Sequence, residues 1–258
     1  MEVKDLFNLM NKTAIVTGGG KGLGAQMAKA LAEAGANVVV CSRDLTSCQK
    51  VSEELKQLGV KSLAFACDVT KEEEIQSVIE ETVKHFGTLD ILVNNSGTSW
   101  MAPTLGLPAD KWDKVMNVNL KGLFLFSQKA ARIMQKQGNG KIINIASVSG
   151  MGGTDPKLMD TIAYNTSKGG VITFTKDLAV KLAPYNIQVN AIAPGMFPTK
   201  ITEKIIEHSA PMLKEQIPAK RFGGEHDLKG AVVFLSSHAS DYCAGHILVV
   251  DGGMTSLI

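Results

Sequence analysis

The chain predicts an α/β fold: a doubly wound parallel sheet of about seven strands with helices on both faces, in one domain spanning 1–258. Three observations carry this. Short apolar runs alternate with amphipathic stretches along the whole length, the order that builds parallel βαβ units. A glycine-rich turn, Thr17-Gly18-Gly19-Gly20-Lys21-Gly22-Leu23-Gly24, lies between the first run and the first amphipathic stretch. No repeat, low-complexity tract or long linker divides the chain, and 258 residues at 45% hydrophobic supply one sizeable core.

The elements follow in order. Residues 13–17 read as a buried strand, and 22–34 as a helix with Leu23, Met27, Ala30, Leu31 and Ala34 on one stripe, stopped by Gly35. A strand over 37–41, a helix over 45–58 closed by Gly59, and a strand over 61–66 come next. Thr70 and Glu73 have capping-box spacing and open a helix running to about Phe86, with Gly87 behind it. Then come a strand over 89–94, a long helix over 109–136, a strand over 141–146 and a helix over 161–182 ended by Pro184. A strand over 187–192, a helix over 227–236 and a strand over 247–250 complete the pattern. Right-handed crossovers place the helices on both faces of the sheet. The segment 194–222, rich in proline, reads as irregular and as a candidate substrate lid.

Composition argues against several classes. The net charge is +2 and basic residues are interspersed with acidic ones, as at Lys71 beside Glu72, Glu73 and Glu74, so neither nucleic acid nor a membrane surface is an expected partner. No run approaches the ~18 apolar residues of a membrane helix. The first residues lack the apolar core of a signal peptide. Cys41, Cys48, Cys67 and Cys243 form no CxxC pair and are expected to be reduced thiols of a cytoplasmic protein. The histidines show no HxxxH or HxH spacing, so no metal site is expected.

The chemistry centres on Tyr164 and Lys168. On a helix these residues share one face, which brings a phenol and an ammonium into the same space. A phenol titrates near pH ~10, and a fixed positive neighbour favours its ionised form. Bringing it to neutrality takes about 4 kcal/mol of differential interaction, which a close, partly desolvated cation and a bound cationic ring could supply together. Upstream, Gly18, Gly22 and Gly24 allow a tight turn and close approach of backbone to a pyrophosphate at a helix N-terminus. The GxxxGxG spacing differs from GxGxxG, and such turns also occur with no ligand; its place between strand and helix favours a dinucleotide. At the tip of the second strand, Ser42 and Arg43 stand where an acidic residue would take the ribose 2′-hydroxyl of NAD. With Lys21 they suit a 2′-phosphate, hence NADP(H). Asp44 could instead turn towards the ribose, and Arg43 could simply pair with Asp44 on the surface. Together the two motifs point to hydride transfer with a tyrosine as proton donor.

With these residues placed, the chain resembles the short-chain dehydrogenase/reductase family, in its single-domain Rossmann-like form, over about 12–253. The motifs are the glycine turn, Asn94-Asn95-Ser96-Gly97, Asn119 within Val118-Asn119-Leu120, Ser147, Tyr164 with Lys168, and Pro194-Gly195 leading to Thr199. Ser96 departs from the alanine usual in the family, and the stretch 150–162 is longer, which alters the wall of the substrate pocket. The resemblance implies a catalytic tetrad of Asn119, Ser147, Tyr164 and Lys168. Ser147, with Ser149 as its local rival, would donate to the substrate carbonyl. Tyr164 would move the proton. Lys168 would bind the nicotinamide ribose and lower the phenol's pKa, and Asn119 would hold a water that relays protons to Lys168.

The resemblance also implies cofactor contacts at Gly18, Lys21, Gly22, Leu23, Gly24, Ser42, Arg43, Asp68, Val69, Asn95, Gly97, Pro194, Gly195 and Thr199. Asp68 could equally cap a helix, and Asn94 could be purely structural. Phe197, Met151, Trp100 and Met196 could line an apolar pocket or be plain core. The expected activity is NADPH-dependent reduction of a small-molecule ketone, reversible as oxidation of a secondary alcohol. Reduction of a 3-oxoacyl thioester, or of a sugar acid as in gluconate 5-dehydrogenase-like members, is the alternative. Carrier-protein reductases of the family use arginines where this chain has Gly138 and Tyr185, which argues against an acyl-carrier substrate. A non-catalytic NADP-binding sensor or scaffold would tolerate loss of the tetrad, and all four residues are present. The family's usual homotetramer packs the helices near 109–136 and 161–182 against their symmetry mates. Ala130, Ala131, Gly169 and Gly170 suit such close approach, and equally the protomer's own packing.

Overall fold

A computed structural model describes residues 1–199 and 202–257. Valine- and isoleucine-rich runs without alternation make strands that are buried on both faces. They are β1 (Thr13–Thr17), β2 (Asn37–Ser42), β3 (Ser62–Ala66), β4 (Ile91–Asn94), β5 (Gly140–Ile145), β6 (Ile187–Pro194) and β7 (Ile247–Val250). Among the described residues these seven form one parallel sheet in the order β3-β2-β1-β4-β5-β6-β7. The chain winds outward from β1 to β3, returns to β4 on the other side of β1, and winds outward again. That reversal opens a crevice at the carboxyl ends of β1 and β4, where open α/β sheets bind ligands.

The helices are α1 (Val3–Leu6), α2 (Gly22–Glu33), α3 (Leu45–Lys56), α4 (Glu72–Phe86), α5 (Ala109–Met116), α6 (Gly122–Gln137), α7 (Ile162–Leu182), α8 (Glu203–Glu215) and α9 (Lys229–Ser236). Successive strand residues point to opposite faces, so each strand feeds two cores. Ala14, Val16, Val38, Val40, Val93 and Ile143 pack with Met27, Leu31 and Val232 from α2 and α9. Ile15, Val39, Leu92 and Ile142 pack with Ile79, Phe126 and Met134 from α4 and α6. The helix stops expected at Gly35, Gly59 and Gly87 all have positive φ, the conformation that glycine adopts without a Cβ clash.

Three local expectations are corrected. The long helix over 109–136 is interrupted by a π-helical turn, Asn117–Lys121, between α5 and α6. The Thr70–Glu73 capping box does not form. Thr70 donates from both its amide and its hydroxyl to Asp68 Oδ1, at 3.0 and 2.8 Å, while Glu74 reaches back to the Asp68 amide at 2.7 Å. Lys71 is the N-cap of α4 instead, without a side-chain cap. The segment 194–222 contains α8, with Pro211 inside it. Leu213 and Ile217 bury against Met159 and Met196, and this tertiary packing outweighs the proline signal. Residues 200 and 201 of that segment lie outside the described residues.

Asn94 and Asn144 sit side by side in the centre of the sheet. Asn94 Nδ2 donates to Ser127 Oγ (2.9 Å) and Asn144 Oδ1 (3.0 Å), and Asn144 Nδ2 donates to Thr175 Oγ1 (3.0 Å). This buried chain ties β4 and β5 to α6 and α7, giving Asn94 a structural task. Asn144→Leu should lower the unfolding free energy by about 2–3 kcal/mol, because it strands buried partners. Urea unfolding of the single mutants and of the double mutant with Thr175→Val checks this, and strictly additive losses would exclude a coupled chain.

Candidate active site

The turn after β1 is shaped by what cannot fit there. Gly18 has φ +64°, and its amide donates to the Cys41 carbonyl at 2.7 Å. A Cβ on Gly24 would overlap the Gly18 carbonyl. Asn95 locks the turn: its Nδ2 donates to the Thr17 and Gly18 carbonyls at 3.0 and 3.2 Å. The amides of Asn95 and Ser96 both donate to Thr17 Oγ1, at 3.0 Å each. Position 96 thus contributes backbone to this lock, which is why serine is accommodated there in place of alanine. The amides of Gly22, Leu23 and Gly24 open α2 without a partner among the described residues. Gly22 has φ +54° and faces open space. Bare amides at a helix N-terminus, with no side chain in the way, fit a pyrophosphate.

At the tip of β2 the charges sort themselves. Asp44 accepts from Lys21 Nζ (2.7 Å), Ser47 Oγ (2.6 Å) and the Ser47 amide (3.1 Å), and it caps α3. Lys21 and Ser47 hold its carboxyl well below the usual carboxylate range. Its oxygens are therefore engaged within the protein, and it pairs with Lys21 rather than Arg43. Arg43 is exposed and has no ion-pair partner among the described residues. Ser42 Oγ lies between the backbone of Asp44 and Cys48 Sγ, at 3.2 and 3.1 Å. A free guanidinium beside a hydroxyl matches the geometry a phosphate monoester needs.

Asp68 is half-engaged. Burial raises its carboxyl, but the Thr70 hydrogen bonds and the nearby Arg43 charge prevail and lower it. Val69 is buried, its carbonyl against Gly122. On the far side, Pro194 ends β6 and the Gly195 amide donates to the Val250 carbonyl at 2.9 Å. A Cβ on Gly195 would meet Asp251 at 2.6 Å, which explains the glycine. The Thr199 amide and hydroxyl both engage Thr202 Oγ1, at 2.9 and 3.1 Å, just before α8.

The four tetrad positions fall into two groups. Lys168 on α7 is 4% exposed, and its Nζ donates to the Ile145 carbonyl at the end of β5, at 2.7 Å. Burial lowers this amine to about 8. Tyr164 lies one turn earlier, its ring centroid 5.6 Å from the ammonium. The chain's own groups do not by themselves supply the expected lowering of the phenol. Burial raises Tyr164 above its ordinary value, and a hydrogen bond with Ser147 pulls only partly the other way. Ser147 Oγ accepts from the Ser149 amide at 3.1 Å, and its own proton is directed at Tyr164. Ser149 thus orients Ser147 through its backbone rather than competing with it.

Asn119 sits on the π-helical turn, a distortion frequent at functional sites. Its Oδ1 accepts from the Thr98 amide (2.8 Å), and its Nδ2 donates to the Thr98 carbonyl and to Ser167 Oγ (2.9 Å each). Both of its amide protons are thus engaged within the protein. A Cβ on Gly97 would lie 3.6 Å from Asn119 Oδ1 and 3.8 Å from Lys168 Nζ, so the strap after β4 crosses directly over these groups.

Sequence reasoning missed several supporting residues. A Cβ on Gly150 would stand 2.5 Å from the Lys168 backbone, so the turn Val148–Gly150 lies directly on α7, with Gly169 opposite it. Gly170 in turn faces Leu120. Both glycines of α7 thus serve packing inside the protomer. Thr98 and Ser167 carry no spacing signal, because their roles come from contacts across about twenty and fifty positions of chain. Of the apolar residues near the site, Met196 joins the cluster under α8, while Phe197 belongs to the main core. Trp100 and Met151 are exposed, and Lys111 lies 5.0 Å from the Trp100 ring.

Among the described residues, no group of three or more His, Cys, Asp or Glu could hold a metal ion, and no helix is long and apolar enough to cross a membrane. The family model described as enoyl-(acyl carrier protein) reductase matches residues 18–255. The chain is 39% identical over 255 residues to a 5-keto-D-gluconate 5-reductase of Escherichia coli, covering 98% of each. A short-chain type dehydrogenase/reductase from Mycobacterium marinum superposes with a TM-score of 0.95 at 37% identity, covering 99% of this chain and all of that one. A gluconate 5-dehydrogenase from Burkholderia cenocepacia, solved with NADP and tartrate, superposes with a TM-score of 0.94 at 36% identity over the whole of both chains. The chain thus belongs to the short-chain dehydrogenase/reductase family and is an NADP(H)-dependent oxidoreductase acting on CH–OH groups.

Proposed function

We propose that this single domain, 1–258, is a carbonyl reductase, reversible as an alcohol dehydrogenase, in which Tyr164 moves the proton. The observation that carries this reading is the convergence of Tyr164, Ser147 and the buried Lys168 at the carboxyl end of β5. Gly18, Gly22, Leu23 and Gly24 would hold the pyrophosphate, and Ser42, Arg43 and Lys21 the 2′-phosphate. Asp68 and Val69 would border the adenine, with Gly97, Pro194, Gly195 and Thr199 framing the nicotinamide end. When bound, the reduced nicotinamide supplies the hydride. Ser147 would turn its hydroxyl from Tyr164 to donate a hydrogen bond to the substrate oxygen, keeping its proton and fixing that oxygen beside Tyr164. The phenol, kept protonated by burial, delivers its proton as charge develops on that oxygen. Lys168, charged at neutral pH, binds the ribose hydroxyls, while Asn119 braces the strap that Gly97 carries across the site.

The longer stretch 150–162 and the segment 194–222 pack together through the buried Met159, Met196, Leu213 and Ile217, and together they would wall the substrate side of the site. A free ketone is the first reading. A keto sugar acid is the second reading, favoured by the 5-keto-D-gluconate reductase among the relatives. The unpaired thiols suit a reducing compartment such as the cytoplasm. A homotetramer is supported by apolar side chains left outward on the two long helices, Phe124 at 43% exposed and Val180 at 75%.

Three measurements test this reading. Tyr164→Phe should reduce turnover of a diketone and 5-keto-D-gluconate panel by about 10³-fold or more, with NADPH affinity unchanged; near-normal turnover would remove Tyr164 from the mechanism. Arg43→Ala should raise KM for NADPH by roughly tenfold or more and leave that for NADH nearly constant, as expected for loss of a charge-assisted contact. Equal effects on both cofactors would place Arg43 elsewhere. Light scattering should return the mass of four chains, and a monomer would dismiss the tetramer.

A further inference from the structure

The opposite end of the sheet carries a second cavity, of about 270 Å³. It lies where β1, β4, β5 and β6 begin, a full strand length from Tyr164 and Ser147. Its chemistry is that of a binding site. Lys12, just before β1, and Lys141, the second residue of β5, both line it. Lys141 is nine-tenths buried; burial lowers its amine, Asp241 raises it, and the charge of Lys12 lowers it again. Two ammonium groups therefore repel each other across one small space.

The acidic groups around the cavity are already occupied. Asp90 Oδ2 accepts from the Thr13 amide (2.9 Å) and Thr88 Oγ1 (2.6 Å), and its other oxygen meets Lys12 only at 3.4 Å. Asp241 is shared between Lys141 Nζ (2.7 Å) and His238 Nδ1 (3.0 Å). What stays free is mainly hydrogen-bond donors. Lys12 Nζ has that one long contact alone, and Lys141 Nζ keeps a proton beyond Asp241 and Ser240. Asn139 and Asn186 each spend one amide proton on a backbone carbonyl. Ser236, 4% exposed, also lines the cavity, and its hydroxyl has no partner among the described residues.

Free donors around two cations, with the carboxylates satisfied, select an anion with several oxygens. The volume admits a small molecule with a few waters and is too small for a dinucleotide. We propose that this basal cavity binds a small oxyanion, a phosphate or a short carboxylate, between Lys12 and Lys141, independently of the catalytic cleft.

The test titrates the NADPH-saturated protein, so that the cofactor's own phosphate sites are filled, with inorganic phosphate and separately with succinate. Isothermal calorimetry should show one saturable site per chain, retained in Tyr164→Phe, and the stronger of the two anions identifies the ligand class. Lys12→Gln and Lys141→Gln should each weaken binding by about tenfold or more, the loss of one charge-assisted contact. Lys12→Gln should leave carbonyl-reduction kinetics unchanged. Lys12 is partly exposed and loosely paired, so this variant carries the test even where Lys141→Gln fails to fold. Binding as tight in Lys12→Gln as in the unmodified chain, or no saturation by either anion up to about 10 mM, overturns the proposal.

Discussion

The site depends on one buried ammonium. Lys168 leaves water to donate to the Ile145 carbonyl, and a single hydrogen bond does not offset the desolvation of a charge. The amine consequently falls to about 8, yet it remains mostly protonated at neutral pH. The contact ties the carboxyl end of β5 to the first turns of α7. Ser147 leaves that strand end and Tyr164 lies on that helix, so their meeting follows from the same tie. The close backbone approach at Gly150 is the steric condition for it.

Two effects compete at Tyr164, and their balance decides its chemistry. A cation on the same helix face favours the phenolate, while burial favours the phenol. The ammonium stands beside the ring, 5.6 Å from its centroid, and its own proton is directed at a carbonyl. Burial prevails and the phenol keeps its proton at neutral pH. That is the form required of a group that donates to a carbonyl oxygen as it becomes an alkoxide.

The parallel sheet divides labour between its two ends. At the carboxyl ends of the strands, helix N-termini and glycine turns leave amides bare, and the positions proposed for cofactor binding and catalysis lie there. At the amino ends, Lys12 just before β1 and Lys141 near the start of β5 pair with Asp90 and Asp241 around a polar recess. In the core between them, the buried Asn94–Asn144 hydrogen bond and its partners Ser127 and Thr175 tie the central strands to α6 and α7.

The order of strands and helices was legible in the sequence because each strand is a continuous apolar run, and Gly35, Gly59 and Gly87 stop helices through backbone freedom, a local property. The glycine turn and the Tyr164–Lys168 pair were legible for the same reason: their meaning lies in short spacings. Only the tertiary structure could decide that Asp44 serves Lys21 and α3, that Asn119 spends its amide protons on Thr98 and Ser167, and that α8 forms despite Pro211. It also let burial outweigh the neighbouring cation at Tyr164. Those outcomes turn on burial and on partners distant in the chain, and neither desolvation nor a long-range hydrogen bond leaves a mark on residue spacing.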